Sequence, residues 1–167
     1  MTLDEFNQTP AAQASEQLAH CVAIPAWRAA LVAARPFSSL DALLNQGDAL
    51  ARQWDERALK SALAAHPRIG EKAQGQGKEA GLSRSEQASV NGQDKELKQA
   101  LQAGNAAYEQ RFGRVFLIRA KGRSGEEMLA ELQRRLANPP WQEQQEALDQ
   151  LREITLLRLK ETFLCTR

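Results

Sequence analysis

The chain has 167 residues, with 22 Lys and Arg against 21 Asp and Glu, for a formal charge of +1. That length fits one domain, residues 1–167, whose core can form without disulfides or metals. The charge balance argues against nucleic acid or an anionic membrane as partner, no apolar run is long enough for a membrane-spanning helix, and 2 cysteines are too few for a disulfide scaffold.

Ala and Leu are abundant, whereas Val and Ile together number only 8. Strong helix formers dominate and the residues that suit sheets are scarce, so an all-α, single-domain bundle of roughly seven to nine helices is expected. The first ten residues are acidic and polar and lack the features of a signal peptide. The C-terminal Phe163-Leu164-Cys165-Thr166-Arg167 matches no lipidation or peroxisomal signal. Cys21, Cys165 and the two histidines are too scattered for a zinc site. A cytoplasmic protein is the expectation.

Thr9-Pro10 reads as an N-cap with proline at the first helical position, opening a helix to about His20. Ile24-Pro25 breaks the chain, and a short helix from Ala26 to Ala34 ends at Arg35-Pro36. Ser38 or Ser39 caps the next helix, with Leu40, Leu43, Leu44 and Leu50 on its apolar face. Another helix, Asp55 to Ala65, stops at His66-Pro67, since proline restricts the residue before it away from the helical region. Residues 70–82 hold four glycines and few apolar residues, and loops of this length are often functional. Ser83-Arg84-Ser85-Glu86 fits a capping box. A helix from about Gln93 to Phe112 carries Leu97, Leu101, Tyr108 and Phe112 on one side and stops at Gly113. Val115 to Ile118 is strand-like but alone, and reads as an extended segment or buried turn. Ser124-Gly125-Glu126-Glu127 is a second capping box, followed by Met128, Leu129, Leu132 and Leu136. After Asn138-Pro139-Pro140 the last helix runs from about Gln142 to Phe163, with apolar residues on nearly every side.

Three polar residues resist a purely structural explanation. His66 either interacts with a helix dipole or is held by Pro67 at a pocket rim, where a group titrating near neutrality suits proton transfer. Glu86 either closes the capping box with Ser83 or sits at a helix N-terminus that offers N–H groups to a ligand, with the Gln87 amide beside it. Arg158 interrupts the most apolar part of the last helix. It either snorkels outward or needs a buried anion, because an unpaired buried charge costs several kcal/mol, and a carboxylate substrate would satisfy it in a bidentate way. Tyr108 and the tryptophans are expected in the core or at an interface. No P-loop, dinucleotide fingerprint or nucleophile elbow is present.

The string His66-Pro67-Arg68-Ile69-Gly70-Glu71 is followed by Ser83-x-x-Glu86-Gln87. Then come Asn105 to Gly113, Phe116-Leu117-Ile118-Arg119-Ala120-Lys121-Gly122 and Ile154-Thr155-Leu156-Leu157-Arg158-Leu159. This order and spacing resembles the OHCU decarboxylases, where OHCU is 2-oxo-4-hydroxy-4-carboxy-5-ureidoimidazoline, an intermediate of urate breakdown. The His66 to Gly70 string and Arg123 to Leu129 look like the bacterial branch. The segment from Lys72 to Gly81 departs from the family pattern in length and composition.

The resemblance implies an all-α fold, a homodimer and decarboxylation of OHCU to (S)-allantoin without a cofactor or metal. It carries catalytic roles onto His66, Glu86 and Arg158. Substrate contacts fall on Pro67, Ser83, Arg84, Ser85, Gln87 and the backbone of Phe116, Leu117, Ile118, Arg119 and Ala120. Two rivals stand beside it. One is a hydrolase of a related ureido compound such as 5-hydroxyisourate, using the same three side chains. The other is a non-enzymatic helical dimerisation module, in which those side chains are far apart.

Overall fold

A computed structural model describes residues 1–64 and 95–164. Every regular element among the described residues is a helix, eight in number, and none is long and apolar enough to cross a membrane. The chain groups into two compact units, Met1–Ala62 with Arg152–Arg167 and Leu63–Leu151.

The first unit opens with a helix the sequence reading lacks, α1 (Leu3–Gln8), capped by Thr2, whose hydroxyl accepts from the Glu5 N–H at 3.1 Å. Thr9 therefore ends α1 instead of opening the next helix, and its hydroxyl donates to the Glu5 carbonyl at 2.5 Å. The following helix, α2 (Ala11–Gln17), takes Pro10 as its cap and stops short of His20. Pro25 sits in the first turn of α3 (Pro25–Ala33), where its missing N–H costs nothing. Ser39, not Ser38, caps α4 (Leu40–Ala51) by accepting from Ala42 N–H at 3.1 Å. Asp55 does the same for α5 (Glu56–Leu63), accepting from Ala58 N–H at 3.0 Å.

The buried line of α4 is Leu43, Gly47 and Ala51, so the flanking leucines are only half-buried. Gly47 explains the shift. A Cβ there would lie 3.1 Å from Leu159 Cδ2 and 3.4 Å from the Trp27 ring, and Trp27 Nε1 donates to the Gly47 carbonyl at 3.0 Å. Phe6 is fully buried and meets Phe163 edge to face at 5.5 Å.

The second unit contains α6 (Lys95–Phe112), α7 (Gly125–Leu136) and the first part of α8 (Pro140–Leu164), whose later turns belong to the first unit. Gly113 ends α6 at φ +72°, a left-handed conformation that glycine adopts freely. The capping box at Ser124 is complete: its hydroxyl accepts from Glu127 N–H at 3.1 Å, and the Glu127 carboxylate accepts from Ser124 N–H at 3.4 Å. Leu101, Tyr108, Phe116, Ile118, Ala120, Met128 and Leu132 form one buried cluster, with Leu97, Phe112, Leu129 and Leu136 at its margin. The periodic residues expected on α6 and α7 are thus the ones that pack.

Candidate active site

Arg158 is 2% exposed, which decides against snorkelling. On α8 the buried positions Glu143, Ala147, Leu148, Leu151, Ile154, Thr155, Arg158, Leu159 and Phe163 fall on one broad face at helical spacing. The helix is therefore not buried on every side, and the guanidinium is on the side that is. Arg158 Nη1 donates to the His20 carbonyl at 3.3 Å. One turn on, the Thr162 hydroxyl donates to the Arg158 carbonyl at 2.8 Å and lies 2.6 Å from His20 Nε2. With its proton so used, Thr162 is placed to accept from His20 Nε2 when that nitrogen carries a proton. His20 drew no attention in the sequence because nothing local marks it. It is buried, with Cys21 Sγ 3.8 Å from the same nitrogen.

The segment Phe116 to Ala120 has no regular secondary structure and pairs with no strand among the described residues. Phe116, Leu117, Ile118 and Ala120 are buried, and the Phe116, Ile118 and Ala120 side chains are committed to the core cluster. The segment also carries the N–H and C=O groups of its main chain. That main chain is tied at fixed points. The Leu117 carbonyl accepts from Arg135 Nη1 at 2.7 Å, Arg119 N–H donates to Gln150 Oε1 at 2.9 Å, and the Ala120 carbonyl accepts from Arg123 N–H at 3.1 Å.

Behind this segment lies a buried polar network that the sequence reading missed. Arg135 is 2% exposed and Glu143 0%. Arg135 Nε lies 3.0 and 3.1 Å from the two Glu143 oxygens, and Nη2 donates to Oε2 at 2.5 Å. The Tyr108 hydroxyl donates to Glu143 Oε2, and Asn138 Nδ2 donates to Oε1 at 3.1 Å. The Arg135 guanidinium also covers the Phe116 ring, 4.5 Å from its centroid. Burial first, and then the hydrogen bond to Glu143, push the Tyr108 hydroxyl well above the usual tyrosine range. At the rim, the hydrogen bond from Arg134 holds the Glu146 carboxyl below its ordinary range.

A signal for this network does exist in the sequence. Arg135 follows Met128 and Leu132 at helical spacing, and Glu143 precedes Ala147 and Leu151 in the same way. Two opposite charges on the core faces of consecutive helices predict a buried pair.

His66, Pro67, Ser83, Arg84, Ser85, Glu86 and Gln87 lie outside the described residues. Arg158 belongs to the first unit and Phe116 to Ala120 to the second. Of the aromatic residues, Tyr108 and Trp27 are buried as expected, whereas Trp141 at the start of α8 is 74% exposed.

Comparison with known proteins gives consistent results. The family model for OHCU decarboxylase matches residues 7–160. The chain is 34% identical to a 2-oxo-4-hydroxy-4-carboxy-5-ureidoimidazoline decarboxylase of Mus musculus over 141 residues, 81% of this chain and 77% of that protein. Over a shorter stretch of 61 residues, 36% of this chain and 35% of that protein, it is 43% identical to the enzyme of the same name from Amia calva. Among solved structures, a crystal structure of OHCU decarboxylase in the presence of (S)-allantoin superposes with a TM-score of 0.74 at 26% identity, covering 89% of this chain and 97% of that one.

Proposed function

The chain belongs to the OHCU decarboxylase family, a decarboxylase of urate degradation, and we propose that it converts OHCU to (S)-allantoin and carbon dioxide through His66, Glu86 and Arg158. The observation that carries this reading is the family match over residues 7–160, a span that includes all three.

The chemistry suits a site built from side chains and main chain alone. OHCU bears its carboxylate and hydroxyl on one ring carbon, next to a ring imine. When the C–C bond to the carboxylate breaks, its electron pair moves toward the adjacent carbon and the imine nitrogen accepts charge. The substrate thus supplies its own electron sink, the task otherwise given to a cofactor. The former imine nitrogen takes up a proton from solvent, the hydroxyl loses its proton and becomes the carbonyl of allantoin, and the ureido-bearing carbon gains a proton. Two tasks are left to the protein. It holds the breaking bond perpendicular to the conjugated system, and it directs the new proton to one face.

His66 moves the proton, with Glu86 orienting its ring or a ureido N–H. Pro67 and the Ser83, Arg84, Ser85 and Gln87 stretch bind the ureido and carbonyl groups, together with the main chain from Phe116 to Ala120. Arg158 is best used on a ring carbonyl where negative charge develops. Tight ground-state binding of the departing carboxylate would not itself speed its loss. The buried setting of Arg158 supports this role, since charge–dipole contacts strengthen away from water.

The reading includes a homodimer in the cytoplasm, as the resemblance implies, and a monomer in sedimentation equilibrium would remove the dimer. The chemistry is tested with His66→Ala on freshly prepared OHCU. The variant is expected to fold, to lose about 10²–10⁴-fold in rate, and to lose the circular-dichroism signal of (S)-allantoin formation. Wild-type turnover by that variant would take His66 out of the mechanism.

A further inference from the structure

Arg135 and Glu143 present an energetic problem. Both are essentially solvent-free, and removing two charges from water costs several kcal/mol per ion. An apolar pair of similar volume often serves stability as well or better, so stability alone does not account for the ions. What an apolar pair lacks is a rigid N–H donor, and the use made of that donor is visible. Arg135 spends Nε and Nη2 on Glu143 and aims Nη1 at the Leu117 carbonyl, 2.7 Å away. The face of the same guanidinium lies on the Phe116 ring. Glu143 is in turn fixed by Tyr108 and Asn138. Two residues beyond Leu117, Gln150 accepts from the Arg119 N–H at 2.9 Å.

A segment outside any helix, and without a ladder partner among the described residues, has no regular hydrogen bonds there to hold it. Here it is gripped at residues 116, 117 and 119 by side chains from α7 and α8. We propose that Arg135, held by Glu143, and Gln150 are positioning residues, which fix the main chain of Leu117 to Ala120 in the pose that receives the substrate. This rests on the assignment of that main chain to substrate binding. Because the held groups contact ring and ureido atoms that do not react, their loss weakens ground-state and transition-state binding alike.

The test is steady-state kinetics on OHCU with the apolar double variant Arg135→Met/Glu143→Met and, separately, Gln150→Met. The double variant removes both charges together, so no ion is left unpaired in the core. Thermal unfolding establishes that each variant is folded. The expected result is a KM raised about tenfold or more with kcat changed less than about threefold. A loss of fold alone would lower the amount of active protein and would not move KM. Should the double variant fail to fold, Gln150→Met carries the test, since Gln150 is only half-buried. Unchanged KM in the folded variants overturns this inference alone. Absence of turnover by the wild-type protein overturns the decarboxylase reading and this inference with it.

Discussion

At the residue scale, Arg158 shows what a buried guanidinium can do that another cation cannot. Its planar fork donates in fixed directions, one of them to the His20 carbonyl. Arg158→Lys keeps the charge and shortens the reach, so kcat/KM on OHCU is expected to fall roughly 10²-fold, the effect of removing one donor to a developing oxyanion. Arg158→Met is expected to fall further, since it carries no charge. Initial rates for the two variants check the order, and a lysine variant as active as wild type would show that the fork is not used. Arg158 was legible because it stands among Ile154, Leu156, Leu157 and Leu159, where a charge is conspicuous. Arg135 and Glu143 were not, although they are as deeply buried. Each has polar neighbours in sequence (Gln133 and Arg134, Gln142 and Gln144), so the local composition looks like a solvated surface. Only helical spacing separates Arg135 from the exposed Arg134 beside it.

At the scale of elements, α6 and α7 approach closely because Gly104 and Gly125 carry no side chain. A Cβ on Gly104 would lie 2.5 Å from Leu132 Cδ2 and 3.2 Å from its Cγ, and one on Gly125 would collide with Leu97 Cδ2. Leu132 is fully buried, so it has little room to retreat. Overpacking of this kind costs about 1–3 kcal/mol, against a gain of about 1 kcal/mol from replacing a helical glycine by alanine. Gly104→Ala is therefore expected to lower stability in urea unfolding. In a Leu132→Ala background the collision is gone while the helical gain stays, and the same substitution is expected to become stabilising. A destabilising effect of equal size in both backgrounds would remove Leu132 as its cause.

The element boundaries that were legible are those with strong caps, such as the Ser124 box, Ser39 and Gly113. The miss at the N-terminus has a physical source. Thr9-Pro10 satisfies the rules for a helix start, yet the Thr9 side chain turns back to end a six-residue helix too short to show a periodic face.

For the molecule as a whole, composition was enough for the helical class, because a chain so poor in Val and Ile has little from which to build sheet. Composition says nothing about which charges the core contains, and those charges shape the response to pH. Tyr108 is the only tyrosine in the chain. Its hydroxyl titrates above the usual range in the folded protein, chiefly through burial and then through its bond to Glu143. The unfolded chain ionises near the ordinary tyrosine value of about 10. Below that pH both states keep the proton and the contribution is fully present. Above it the unfolded state loses the proton first, so folding stability from this group declines with rising pH, by at most about 1.4 kcal/mol per pH unit. Urea unfolding between pH 8 and 11 is expected to show this decline, with a shallower one in Tyr108→Phe, which isolates the contribution of the phenol. Tyrosinate absorbance reads the same residue directly. Ionisation of the native protein is expected only as it unfolds, and a reversible tyrosinate signal near pH 10 in the folded state would contradict the buried Tyr108–Glu143 contact.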